Sequence, residues 1–174
     1  MSKVLFPGTF DPIHFGHINI AKRAAGLFDE VIVAVYARDQ DNILFSPEDR
    51  LALVEETFKN IGNISVTAYT GLTVKFAQQV GAQSIVRGLR VFSDFEYEFR
   101  MALANHRLEP DIDVIAFITN EEHTFLSSTT VREIAALGGD VSSMVPEHVQ
   151  KALISRFSML GESQNIVPLT SLRD

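Results

Sequence analysis

Two histidines in an N-terminal loop are the residues of this chain best suited to chemistry. His14 and His17 lie three positions apart in the stretch "FPGTFDPIHFGH", which starts at Phe6. Residues at this spacing share one helix face, and a helix N-terminus presents free N–H groups and the positive end of its dipole. If a helix begins near Phe15, the loop predicts an anion site at which a histidine donates a hydrogen bond to a phosphate oxygen. Gly16 would let a bulky ligand approach the backbone.

Two alternatives stay open for the same residues. A solvated turn followed by a capped helix also accounts for them, because short histidine motifs have a high false-positive rate. A metal site is the second alternative, but the chain has no cysteine and the motif offers no third ligand, so we predict no metal ligands from protein side chains.

Composition narrows the class of protein. The 174 residues are 46% hydrophobic, which suits a single globular domain. The absence of cysteine excludes disulfides and fits a reducing compartment. No apolar run approaches the length of a membrane span or signal peptide, so we expect a cytoplasmic protein that makes no membrane contact. The net charge of −7 argues against nucleic acid as a partner.

Strand-like runs alternate with helical patterns along the chain, which predicts an α/β fold. We expect one Rossmann-like, doubly wound domain over residues 1–157, with a five-stranded parallel sheet and helices on both faces. Residues 158–174 lack periodicity, and we expect a tail that is loosely ordered or packed on a neighbour. The predicted strands are Lys3–Pro7, Val31–Tyr36, Ile64–Tyr69, Ser84–Gly88 and Val114–Thr119.

Capping residues mark where several helices should begin. Ser46 precedes a proline and two acids, and the stretch Ser93–Glu96 has the pattern of a capping box. Ser128 or a neighbour should cap the helix that ends at two glycines, Gly138 and Gly139. The last helix should start at Pro146–Glu147 and run to about Phe157.

Three unusual loops each follow a predicted strand. They are the histidine loop, the segment with Arg87 and Arg90, and a serine- and threonine-rich run that leads to Arg132. In sheets of this type, ligands bind outside the carboxyl ends of the strands, where the strand order reverses. We therefore expect the three loops to converge on one site.

The motifs in these loops carry a family resemblance. "GTFDPIHFGH", "RGLRVFSDFEYE" (Arg87 to Glu98) and "FLSSTTVRE" (Phe125 to Glu133) together resemble the HxGH nucleotidyltransferase superfamily, and within it the bacterial phosphopantetheine adenylyltransferases. The resemblance covers roughly Lys3 to Phe157. It implies transfer of an adenylyl group from ATP to 4'-phosphopantetheine with Mg²⁺, by direct attack, giving dephospho-coenzyme A and pyrophosphate. It also implies a homohexamer and feedback by coenzyme A.

The resemblance also implies roles for individual residues. His17 would be catalytic and would bind the α-phosphate of ATP, while Thr9 would touch both substrates. The other residues implied for ATP are Phe10, Gly88, Leu89, Arg90, Glu98, His123, Thr124, Phe125, Leu126, Ser127, Ser128 and Thr129. The residues implied for the acceptor, besides Thr9, are Asp41, Thr73 and Arg87.

One position departs from the family pattern. Many relatives carry a lysine where this chain has Asp41, and a carboxylate would repel the acceptor phosphate, so we expect Arg38 to substitute. Other acceptors also fit the HxGH loop, as in nicotinate-nucleotide adenylyltransferases and glycerol-phosphate cytidylyltransferases. A nucleotide-binding module without turnover is the alternative from another class.

Overall fold

The computed structural model describes residues 1–37 and 42–162, in which strands and helices alternate. The strands are β1 (Lys3–Gly8), β2 (Glu30–Tyr36), β3 (Ile64–Tyr69), β4 (Ser84–Leu89) and β5 (Asp113–Ile118). The helices are α1 (Phe15–Ala25), α2 (Pro47–Phe58), α3 (Thr73–Gln79), α4 (Phe92–Leu108), α5 (Ser128–Ala136) and α6 (Glu147–Glu162), with a 3₁₀ turn at Glu121–His123.

All five strands form one parallel sheet in the order β3-β2-β1-β4-β5, which confirms the predicted fold class. The order reverses between β1 and β4. These two strands pair only near their starts, where Val4 lies beside Ser84 and Leu5 beside Ile85. β1 stays paired with β2 as far as Gly8, so a crevice opens between β1 and β4 at their carboxyl ends. Such a crevice is where open α/β sheets bind ligands.

The sheet buries side chains on both of its faces. Along β1, Val4 and Phe6 belong to a large core cluster that includes residues of α1, α2, α5 and α6. Leu5 points to the opposite face and packs in a second cluster with Val74 and Ala77 of α3. Burial on both faces explains the continuous apolar sequence of β2, because such strands cannot alternate with polar residues.

Of the four helix starts predicted from capping residues, those of α2, α5 and α6 are right and that of α4 is wrong. The Ser46 hydroxyl caps α2 by accepting the Asp49 N–H at 3.1 Å, and Ser127, the neighbour of Ser128, caps α5. Ser93 does not cap α4, which begins one residue earlier at Phe92 without a side-chain cap. The Asp94 carboxylate instead accepts the backbone N–H of Arg90 at 3.0 Å, which fixes the turn before the helix.

The last helix is longer than its sequence pattern predicts. α6 continues past Phe157 to Glu162 because both Phe157 and Leu160 pack against the main core cluster. Residues 163–174, which make up most of the predicted tail, lie outside the described residues. Within the described ranges, no helix is long and apolar enough to cross a membrane.

Candidate active site

The histidine loop ends in a helix start built by its own two histidines. α1 begins at Phe15, as predicted, with His14 as its N-cap. The Nδ1 atom of His14 accepts the Gly16 N–H at 3.1 Å, and the His14 N–H donates to Nδ1 of His17 at 3.3 Å. Because both Nδ1 atoms accept hydrogen bonds, each neutral ring carries its proton on Nε2. His17 therefore has a donor, Nε2–H, for a ligand.

Both imidazoles are neutral at pH 7. Burial, reinforced by Arg90 and His123, lowers the pKa of His14 from 6.5 to about 3. Burial also lowers the pKa of His17 well below its usual value, and the nearby His14, Arg90 and Arg87 lower it further. A direct contact also joins β1 and β4 near their carboxyl ends, because Arg87 donates to the Pro7 carbonyl at 3.0 Å. The predicted convergence of these two loops is therefore found.

Gly16 makes room for the capping histidine. The space beside its Cα is filled by the His14 ring, and a Cβ there would lie 2.9 Å from Cε1 and 3.0 Å from Nδ1 of His14. The glycine therefore admits the capping imidazole, and its expected role toward a ligand stays a prediction. Phe10, at the turn before, has a left-handed φ of 52° and a buried ring that meets the His17 ring edge-on at 4.9 Å.

Two buried charged residues fix this loop, and the sequence interpretation missed both. Asp11 is 3% exposed, and its carboxylate accepts the N–H groups of Leu44 and Phe45 at 2.8 and 3.0 Å. Arg50 of α2 is fully buried and donates to the carbonyl oxygens of Thr9 (2.7 Å) and Tyr36 (2.8 Å). Helical periodicity offered a signal for Arg50, because it lies on the same face of α2 as the buried Val54 and Phe58.

Arg87 and Glu98 form a fork-shaped ion pair. Nε and Nη2 of Arg87 donate to the two carboxylate oxygens of Glu98 at 2.9 and 2.6 Å, and Nη1 donates to the Pro7 carbonyl at 3.0 Å. A planar guanidinium held this way can present itself to a phosphate. Gly88, the next residue, packs against α1, since a Cβ would lie 3.3 Å from the Ile20 side chain.

Arg90 joins the second and third loops. Its Nη1 donates to the Leu126 carbonyl at 2.8 Å, while its Nε and Nη2 donate to Asp94 at 3.0 and 3.2 Å. The Leu126 side chain is buried in the main core, so any nucleotide contact from Leu126 would be through its backbone. Leu89 ends β4 and lies beside Ile118 of β5.

The segment 123–129 lies over the start of α1. The His123 Cβ is 3.9 Å from the position that a Gly16 Cβ would occupy. The Ser128 hydroxyl donates to the Pro12 carbonyl at 2.9 Å, which ties the start of α5 to the histidine loop. The third predicted loop is thus brought to the same place as the first.

Several hydroxyls of this segment serve the protein's own backbone. Ser127 Oγ accepts the Thr130 N–H at 3.0 Å, and Thr124 Oγ1 donates to the Asn120 carbonyl at 3.2 Å. Thr129 Oγ1 accepts from Arg132 at 3.4 Å, and the Phe125 ring is exposed. Their contacts with ATP stay predictions.

A cavity of about 330 Å³ opens beside the histidine loop. Thr9, Thr73 and Arg87, three of the four residues implied for the acceptor, all line it. Thr73 Oγ1 lies 2.9 Å from the hydroxyl of Tyr69, whose pKa is raised by burial. The other lining residues are Pro7, Gly8, Tyr36, Tyr69, Gly71, Leu72, Ile85, Tyr97, Glu98, Met101, Ala102, Asn105 and Val114.

The expectation for Arg38 and Asp41 falls outside the described residues, so their roles stay predictions. Among residues 1–37 and 42–162, no three histidine or acidic side chains are grouped closely enough to hold a metal ion.

The fold and this site define a class of protein: a parallel α/β sheet with a histidine-bearing helix start at its switch point. The family model described as cytidylyltransferase-like matches residues 5–134. Phosphopantetheine adenylyltransferase of Thermomicrobium roseum is 45% identical over 91% of this chain and 96% of its own, and that of Roseiflexus sp. is 48% identical over 88% and 96%. The chain belongs to the phosphopantetheine adenylyltransferase family of nucleotidyltransferases.

Solved structures support the fold alone. A structure from Vibrio parahaemolyticus, described as a nicotinate-nucleotide adenylyltransferase, has a TM-score of 0.66 and 19% identity, and covers 88% of this chain and 99% of its own. A lipopolysaccharide core biosynthesis protein from Thermoplasma volcanium has a TM-score of 0.52 and 22% identity over 70% of this chain and 99% of its own.

Proposed function

We propose that this enzyme transfers the adenylyl group of ATP to 4'-phosphopantetheine and releases pyrophosphate, forming dephospho-coenzyme A. The observation that carries the proposal is the shared cavity of Thr9, Thr73 and Arg87 beside the loop that holds His17. Relatives at 44–48% identity with this name support the choice of acceptor.

The reaction proceeds by in-line attack of the acceptor phosphate on the α-phosphorus of ATP. No side-chain nucleophile is needed, so catalysis consists of positioning and charge stabilisation. The neutral His17 donates its Nε2–H to an α-phosphate oxygen as negative charge develops there. The start of α1 adds the positive end of a helix dipole.

Arg87 binds the phosphate of the acceptor from the cavity wall. Its guanidinium is already oriented by Glu98 and by the Pro7 carbonyl, so little rotamer freedom is lost on binding, and the phosphate accepts from the second N–H groups of Nη1 and Nη2. Glu98 also lines the cavity. If Arg87 did not neutralise it, the negative charge of Glu98 would disfavour a phosphate in the same cavity.

ATP enters as its magnesium complex, with Mg²⁺ carried mainly by the triphosphate, which is usual for this ion. Gly88, Leu89, Arg90 and the segment 123–129 form the nucleotide side of the site, while Glu98 acts from the acceptor cavity, where it orients Arg87. The enzyme works in the cytoplasm, which the lack of cysteine and the use of ATP support.

The enzyme assembles as a homohexamer and is inhibited by coenzyme A, which carries the same pantetheine arm as the acceptor. Support for assembly comes from α4, whose Phe92, Phe95 and Phe99 rings are exposed and in contact with one another. Sedimentation of the purified chain tests the hexamer, and competition by coenzyme A against phosphopantetheine tests the shared cavity.

A pyrophosphate-release assay with three acceptors tests the reaction itself. We expect release from MgATP with 4'-phosphopantetheine and none with nicotinate mononucleotide or glycerol phosphate. Release only with another acceptor would overturn the substrate assignment. ATP binding without release for any acceptor would favour the non-catalytic module.

A further inference from the structure

We infer that Asp11 and Arg132 form a positioning pair that holds the histidine loop in its reactive geometry. The inference rests on the proposed adenylyl transfer, because it concerns how the groups for that reaction are held. Arg132 lies in α5, one turn after the serine- and threonine-rich run, and an arginine at that place would suit a phosphate ligand. Its contacts assign it to another task.

Asp11 is a buried carboxylate with contacts on two sides. On one side its oxygens accept the N–H groups of Leu44 and Phe45, just before α2. On the other side Oδ2 lies 3.5 Å from Nη1 of Arg132. A buried carboxylate is costly unless it is both hydrogen-bonded and paired, and Asp11 is both.

The guanidinium of Arg132 is directed at the protein's own loop. Nη1 donates to the backbone carbonyl of Asp11 at 2.5 Å, and Nη2 approaches Oγ1 of Thr129 at 3.4 Å. The side chain of Arg132 is only 16% exposed. One turn earlier in α5, Ser128 donates to the Pro12 carbonyl, so two consecutive carbonyls of the histidine loop are held by α5.

These contacts lock the loop between the residues that touch substrate. Asp11 and Pro12 lie between Thr9, on the cavity wall, and His14, which caps α1 and holds His17. A shift of the Asp11 backbone would therefore change the separation between His17 and the acceptor cavity. A displacement of about 1 Å in reacting groups can cost on the order of 100-fold in rate.

A double-mutant cycle with Asp11→Asn and Arg132→Met tests the pair. Asparagine keeps the shape of Asp11, but it keeps only one of the two oxygens that accept from Leu44 and Phe45, and it loses the charge that faces Arg132. We expect each single variant to lower kcat about 10- to 100-fold. The kcat of the double variant should be no lower than that of the less active single variant. Calorimetric Kd values for MgATP should change less than about threefold, because the pair acts through the loop.

Two results would overturn the inference. Multiplied losses in the double variant would mean that the residues act independently. A Kd for MgATP raised tenfold or more in Arg132→Met, with Asp11→Asn unaffected, would make Arg132 a direct triphosphate ligand.

Matched variants keep the test decisive if folding changes. Lys151→Met removes an exposed cation of the Glu147 pair on α6 and should keep full activity and the same melting temperature. If Asp11→Asn unfolds, Arg132→Lys replaces it: the inference predicts a kcat between those of wild type and Arg132→Met, and a kcat equal to that of Arg132→Met contradicts it. An inactive wild type would instead refute the proposed adenylyl transfer.

Discussion

The imidazole rings of His14 and His17 stack with their centroids 3.7 Å apart at the N-terminus of α1. His14 caps the helix, and His17 accepts the N–H of His14 while keeping its own Nε2–H for a ligand. The two histidines of the motif therefore have different tasks: His14 builds the helix start, and in the proposed function His17 donates to the reacting phosphate. Both are neutral, so in the proposed reaction a phosphate would meet a hydrogen-bond donor and a helix dipole instead of an imidazolium.

Variants of His17 should separate capping from catalysis. In His17→Asn, the amide oxygen replaces Nδ1 as acceptor for the His14 N–H, but no donor reaches the place of Nε2. We expect a folded protein with kcat reduced about 100- to 1000-fold, the usual loss for one transition-state donor. His17→Gln, whose amide nitrogen lies near the place of Nε2, should recover part of the rate.

Steady-state kinetics and thermal unfolding check this prediction. Lys151→Met, at an exposed position of α6, is the control and should behave as wild type. Full activity in His17→Asn would contradict the role of Nε2–H.

Stability should fall with acidification, because the folded protein holds His14 and His17 neutral. Their pKa values are lowered on folding, so below pH 6.5 the unfolded chain binds more protons than the folded one. The two histidines therefore leave the free energy of unfolding at its full value above pH 6.5. This free energy falls as the pH drops toward the folded pKa, which is about 3 for His14. Each histidine contributes a slope of about 1.4 kcal/mol per pH unit in that window.

Urea unfolding between pH 7.5 and 5 measures the slope. His14→Asn retains a good capping side chain but does not titrate, so its free energy of unfolding should depend less steeply on pH. An unchanged slope would show that His14 is not the group responsible.

The Arg87–Glu98 pair predicts a partial rescue. In Arg87→Ala, the Glu98 carboxylate loses its partner and faces the acceptor phosphate across the same cavity. We expect KM for 4'-phosphopantetheine to rise more than about tenfold, since an unpaired charge adds to the loss of the contact. Adding Glu98→Gln should lower that KM again severalfold.

Titration of the acceptor at saturating MgATP measures these constants. Arg107→Ala, an exposed arginine of α4, is the control and should leave KM unchanged. A double variant with a higher acceptor KM than Arg87→Ala would refute the electrostatic explanation.

Gly16→Ala should damage the helix start by steric contact alone. The new Cβ would meet the His14 ring at 2.9 Å and displace the capping nitrogen. Loss of an N-cap costs about 1 kcal/mol, and the linked displacement of His17 should lower kcat as well. Gly62→Ala is the matched control, because nothing lies within 4 Å of its Cβ position. Equal melting temperatures for the two variants would contradict this explanation of the glycine.

Local patterns in the sequence predict much of the fold. Five apolar runs mark the strands, and Ser46 followed by proline and acids marks the start of α2. The three loops converge as expected because carboxyl ends of parallel strands meet at one edge. Ser93 misleads because another local contact competes with the capping pattern: Asp94 binds Arg90, four positions earlier, and the helix begins at Phe92.

Buried polar contacts between distant segments could not be predicted from the sequence. Asp11 reads as a turn residue, yet it is held by Leu44, Phe45 and Arg132, which only the fold brings near. Gly16 likewise reads as open space for a ligand, because the rotation of the His14 ring is not encoded in any local pattern.

The stereochemical course at the α-phosphorus tests direct in-line transfer most directly. The enzyme would be given one diastereomer of ATP with sulfur on the α-phosphorus, together with 4'-phosphopantetheine, and the configuration of the thio-substituted product determined. A single in-line displacement, with no covalent adenylyl-enzyme, predicts inversion of configuration at the α-phosphorus. Retention would require a covalent adenylyl-enzyme and an unrecognised nucleophile, and it would contradict the account.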